Sequence, residues 1–454
     1  MHQRHGTRVR LFPIPPYAEP DLVPDTVTLR PPSGSVGPGP CDDRILALSP
    51  IGKIAPYGFV GGGPAGSRLS LPPWTGPVGF GVVPDGDGHL DRIPVDSPDF
   101  PLVHAYGTAR FVLDIWEDYF GRTIPWHFAD SIDRLEVSLF EDWDNAQAGY
   151  GFLELGAHRD EDGGRRPFAL NFDIVAHELG HLIVYQEVGL PELDVANDEF
   201  FGFHESAADM AALVALLHFD SVLDRLMART RGNLYALNEL NRFGELSNSA
   251  QIRLASNDVR MTAFVDGWDD EHLLAQPLTG ALFDLLVDIF HRELRDRGLI
   301  PRQLAEMADG ITGMPHMADE IQAWFDRLYP VDPAGFRSAL TETRDLVGRY
   351  LALVWEWLEC NCIGYSDVEQ AVIEADAVLT GGRYRKSIGE NFAWRRIGDV
   401  PLGPRRGKTF SQSHATSART LTPDDGAIVA KRPLHCRRRH VSIRGVKGGI
   451  ARLR

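Results

Sequence analysis

Two histidines four residues apart, His177 and His181, with a glutamate directly after the first, make up the run His177-Glu178-Leu179-Gly180-His181. On a helix, residues four apart project from one face, so both imidazoles can meet a single metal ion. Glu178 then leans toward the position the two rings leave open, where it can take a proton from a water held on that ion. Zinc lowers the pKa of such a water to about 7, which makes hydroxide available at neutral pH. The run is embedded in apolar residues, Ile174, Val175 and Ala176 before it and Leu182, Ile183 and Val184 after it. Imidazoles and a carboxylate in such surroundings are costly unless they are used. Taken alone, the five residues also fit a helix with two ordinary histidines and an ion-paired glutamate.

A second piece follows in His204-Glu205-Ser206-Ala207-Ala208-Asp209. Glu205 and Asp209 lie one helical turn apart on the same face. A third ligand must come from outside the first helix, and Glu205 completes a set of two histidines and one glutamate with one position left for water. Asp209 is placed to accept the free N–H of a metal-binding histidine. The competing reading is a pair of carboxylates at a helix N-terminus, satisfying its dipole. A third piece is Gly267-Trp268-Asp269-Asp270-Glu271-His272. There Asp269 or Asp270 would keep His272 protonated, able to steady a developing oxyanion. Without the other two pieces, His272 would be a surface histidine.

The elements that must position these residues are legible as patterns. Val103, Gly107, Phe111, Ile115 and Tyr119 mark one face of a helix that Gly121 closes. Residues 134–139 alternate like a half-buried strand, and residues 149–155 are a second strand candidate. Residues 173–188 read as a buried helix stopped by Gly189 and Pro191, residues 204–218 as another, and residues 277–294 as a third. From Met307 to about Gly398 the pattern is almost wholly helical. Residues 45–93 are short apolar pieces cut by glycine and proline, as in small strands and turns. A β-containing front half followed by a helical back half is the order of an α+β fold. The chain divides at this level into a proline-rich flexible arm (1–44), a β-rich part ending in the histidine helix (45–190), a helical part (191–398) and a basic disordered tail (399–454). The arm is expected to be extended because nine prolines fall between residues 13 and 40.

Composition narrows the function classes. The 454 residues carry a formal net charge of −17. Residues 401–454 hold 13 Lys+Arg and 2 Asp+Glu, a net of +11, which leaves −28 on the rest. So acidic a body repels nucleic acid and anionic membranes, and neither is expected as a partner. The four cysteines show neither a stapling pattern nor paired CxxC sites. The first residues are polar and then broken by prolines, with no apolar core of an export signal, which points to a cytoplasmic protein.

Taken together, the three pieces resemble the thermolysin and fungalysin group of gluzincin zinc endopeptidases over roughly residues 101–398. Residues 171–181 are similar to the family's zinc helix nearly throughout. The resemblance implies one zinc held by His177, His181 and Glu205, Glu178 as general base, Asp209 as the partner of a zinc-binding histidine and His272 as the transition-state histidine. Asp144-Asn145-Ala146 followed by Gly149-Tyr150-Gly151 is similar to the family's substrate-binding edge strand. By that likeness Asn145 and Ala146 grip the main chain of a peptide or protein substrate, with Arg253 as the counterpart of a carbonyl-binding arginine. It implies a β-containing part and a helical part with the active-site cleft between them.

There are departures. The family's transition-state tyrosine lies between the second histidine and the glutamate, yet residues 190–203 contain no tyrosine. The family's calcium pair would need a carboxylate where Leu216 stands opposite Asp173, so calcium is not expected. The basic tail has no counterpart. An aminopeptidase of the same clan would need a Gly-x-Met-Glu-Asn motif, which is absent. The alternative from another class is a zinc-binding but catalytically silent protein.

Overall fold

The computed structural model describes residues 6–60, 68–79, 81–140, 143–159, 163–192, 197–236, 240, 242–243, 253–309 and 315–406. The fold is mixed α+β, a small sheet followed by a helical C-terminal part.

The segment before residue 45 is not the loose arm that its prolines suggest. Strands β1 (Gly6–Leu11) and β2 (Asp25–Pro32) pair antiparallel, with Val9 opposite Val27. They pack on the long helix α1 (Phe100–Phe120). Val9, Leu11, Phe12, Ile14 and Leu29 are all buried. Gly107 of α1 makes this fit possible, because a Cβ there would lie 2.9 Å from Leu11 Cδ2. On the same helix His104 Nε2 accepts from Phe12 N at 2.9 Å while Nδ1 donates to Ala169 O at 2.7 Å. The prolines fall mostly in the connection between the strands, where they cost no ladder hydrogen bond.

The main sheet runs β3 (Ile45–Leu48), β6 (Leu135–Leu139), β8 (Phe152–Leu155), β7 (Ala146–Gly149). Between β3 and β6 in sequence lie the short paired strands β4 (Gly58–Val60) and β5 (Arg68–Ser70). The stretch expected as one strand over residues 149–155 is instead the hairpin β7–β8, because Gly151 turns the chain at φ +87°. β6 is buried on both faces rather than one. Glu136 accepts from Tyr57 Oη at 2.7 Å and Trp74 N at 2.8 Å. Glu154 of β8 accepts from Lys53 Nζ at 2.5 Å and Gln147 Nε2 at 2.6 Å. Lys53, Tyr57 and Trp74 therefore cover the sheet's outer face, and paired hydrogen bonds let its carboxylates be buried.

Short strands β9 (Ala157–Arg159) and β10 (Arg165–Pro167) lead into helix α2 (Phe172–Glu187). Helices α3 (Glu199–Leu216) and α4 (Asp220–Thr230) follow, then the two-residue strands β11 (Arg242–Phe243) and β12 (Arg253–Leu254) and the long helix α5 (Glu271–Asp296). The chain continues through α6 (Arg302–Asp309), α7 (Ala318–Leu328), α8 (Pro333–Trp357), α9 (Tyr365–Thr380) and α10 (Arg385–Trp394). α5 is long and apolar enough to cross a membrane, but 83% of its apolar window is buried inside the fold, as in a core helix.

Two helices begin earlier than their apolar patterns suggest. α3 starts at Glu199 rather than His204, so Glu205 sits in its second turn and not at an exposed N-terminus. α5 starts at Glu271 rather than Pro277. Asp270 caps it by accepting from His272 N at 2.8 Å and Leu273 N at 3.3 Å, and the proline is accommodated inside. At the other end, the packed chain runs past residue 398, where a disordered tail was expected to begin. Gly403 N donates to Phe264 O at 2.9 Å. Residues 407–454 lie outside the described part.

Candidate metal centre

α2 and α3 pack face to face, and small residues set their separation. A Cβ on Gly180 would lie 3.0 Å from both Ala208 Cα and Ala211 Cβ. Asn171 caps α2, its side chain accepting from Ile174 N at 3.3 Å. This close contact brings His177 and His181 of α2 against Glu205 and Asp209 of α3.

His177 Nε2 lies 3.3 Å from Glu205 Oε2, and His181 Nε2 lies 3.6 Å from Glu205 Oε1. The opposite nitrogen of each ring is held from behind. His177 Nδ1 is 3.0 Å from Asp209 Oδ1, and His181 Nδ1 is 2.9 Å from His204 Nδ1. His204 also stacks flat on His181, with ring centres 4.6 Å apart, and Tyr185 covers His204 at 4.2 Å. A carboxylate can only accept, so Asp209 holds His177 with its proton on Nδ1 and its lone pair on Nε2. The two Nε2 atoms and the Glu205 oxygens thus converge, a set of donor atoms suited to a metal ion.

Glu178 comes close as well. One ligand atom each from His177, Glu178 and His181 lie within 4.8 Å of one another, a group that could hold a metal ion. Two glutamates thus compete for the third ligand position. Glu205 is buried to 1% exposure and lies between both rings. Glu178 is half-buried.

His272 joins this group from α5. Its Nε2 lies 3.3 Å from Glu205 Oε2, and its Nδ1 lies 3.2 Å from Asp270 Oδ1. Of the two aspartates singled out beside it, Asp270 therefore meets the ring, and its hydrogen bond with His272 holds the Asp270 carboxyl below the usual range. Asp269 is exposed.

The residues proposed to grip substrate are less closely tied to the centre. Ala146 opens β7, the strand at one end of the sheet, which packs on α2. Asn145 is exposed, and its carbonyl accepts from Gly156 N at 2.9 Å. Arg253 lies in β12, paired with Phe243. Its side chain lies outside the described part.

His204 was missed as a site residue. Its only sequence signal is its place directly before Glu205, and its pairing with His181 depends on the α2–α3 contact.

No protein-family model matches this chain, and no curated protein matches it.

Proposed function

We propose that the chain is a zinc-dependent metalloendopeptidase of the thermolysin-like gluzincin kind, with His177, His181 and Glu205 as the zinc ligands. One observation carries this reading. Three separated sequence pieces, 177–181, 205–209 and 272, converge on one carboxylate, Glu205, with both histidine Nε2 atoms turned toward it.

Bound there, zinc would supply an acidified water and a polarised carbonyl. Glu178, beside the histidines and half open to solvent, takes the proton from the attacking water and returns it to the leaving amine. His272, held by Asp270, donates to the oxygen that becomes negative as the carbonyl is attacked. The strand β7 offers an edge along which an extended peptide can lie, with Asn145 and Ala146 at its start.

A second reading has its own observation. With no tyrosine in residues 190–203, oxyanion stabilisation falls on His272, alone or with another donor, which favours a zinc-binding protein of weak or no activity. Metal analysis of the purified chain together with cleavage of a peptide library tests both. One zinc per chain with cleavage supports the peptidase, and one zinc without cleavage supports the silent binder. No bound zinc after supplementation overturns both.

A further inference from the structure

His272 is the most exposed member of the centre, its side chain 46% accessible, so packing around the ring does not fix it. Its position depends on the loop before it, residues 267–270, and that loop is bound by the segment following the last helix. Trp268 N donates to Pro404 O at 3.2 Å, and Arg406 N donates to Trp268 O at 2.5 Å. Arg406 Nε adds a bond to Asp266 O at 3.0 Å. The two backbones approach through glycines. A Cβ on Gly403 would fall 2.4 Å from Gly267 N, and one on Gly267 would fall 2.5 Å from Pro404 O.

Arg405 adds a side-chain tie. Its guanidinium carbon lies 4.8 Å from the Trp268 ring centre and 5.2 Å from that of Phe201. The two rings are 6.1 Å apart, and Trp268 is buried to 2% exposure. Phe201 lies one helical turn before Glu205 on α3. Trp268 lies two residues before Asp270, which caps α5 and holds the His272 ring. One guanidinium over two aromatic faces therefore joins the starts of the two helices that meet at the His272–Glu205 contact.

We propose that residues 401–406 are a strap that aligns His272 with the metal centre, and that Arg405 is its positioning residue. This rests on the peptidase reading for its effect on rate, but not for its effect on the loop.

Three variants test it: Arg405→Gln, Arg405→Lys and a chain ending at residue 400. In the zinc-loaded protein, Arg405→Gln and the shortened chain should exchange the amide hydrogens of His272 and Leu273 faster, with α2 unchanged. Both should keep one zinc, lower kcat about 10–100-fold and leave KM nearly unaltered, as expected when a catalytic group is displaced. Arg405→Lys should recover much of the loss, because an ammonium keeps its attraction to the ring faces. Wild-type exchange over residues 268–273 in both Arg405→Gln and the shortened chain would overturn the strap. Faster exchange in these variants of a wild type that cleaves nothing would uphold the strap and remove only the peptidase reading.

Discussion

Asp209 and His204 hold the outward nitrogens of the two site histidines in chemically different ways. A carboxylate behind His177 can accept from its Nδ1 and make Nε2 more basic, whereas the imidazole behind His181 can fix orientation only through one shared proton. Replacing Asp209 with alanine should therefore weaken zinc binding about 10–100-fold, read by competition with a chelator. An unchanged affinity would make Asp209 a packing residue. In the proposed reaction His272 belongs to a different step, since it touches Glu205 and is not among the proposed ligands. His272→Ala should lower kcat and kcat/KM together by about 10²–10³-fold while the zinc stays bound. A variant with wild-type kcat would reduce His272 to a surface residue.

The helix pair α2–α3 has almost no slack. Gly180 meets Ala208 and Ala211 so closely that a larger side chain must push the helices apart. Gly180→Val should cost about 1–3 kcal/mol of stability by overpacking, measured as a shift in the denaturant midpoint. A variant as stable as wild type would mean that the contact is looser than described. The α2 helix was legible in the sequence because an apolar run and the stop signals Gly189 and Pro191 agree over residues 173–191. The starts of α3 and α5 were not, because Phe200 and Phe201 break the expected pattern and Pro277 reads as a boundary when Asp270 already caps the helix. The β1–β2 hairpin was hidden too. Its alternation at Val9 and Leu11 spans only a few residues beside a run of prolines, and its partner, α1, lies some ninety residues on in the chain. His204 and Arg405 could not be found from sequence, because what they do depends on residues brought near only by the fold.

Across the whole molecule, three buried imidazoles outside the proposed ligand set tie stability to pH. Burial pushes His104 down to about 4 and His127 and His218 down to about 3. In the unfolded chain these rings titrate near 6.5, so the unfolded state takes up protons first. Their contribution to stability is whole above about pH 6.5 and is lost progressively as pH falls toward 4 and then 3, each ring adding a slope of about 1.4 kcal/mol per pH unit. His127→Phe should flatten the fall of stability between about pH 6.5 and 4 relative to wild type, measured by urea unfolding at matched zinc concentration. Parallel profiles would mean that His127 is not buried neutral. The charge of the whole chain, −17 formally, bears on partners rather than on the chemistry of the centre. The direct measurement is cleavage of a peptide library by zinc-loaded wild type and by Glu178→Gln, with zinc content determined for both. The account predicts one zinc in each and hydrolysis by the wild type alone. Equal cleavage by both, or cleavage by neither at full zinc occupancy, would contradict it.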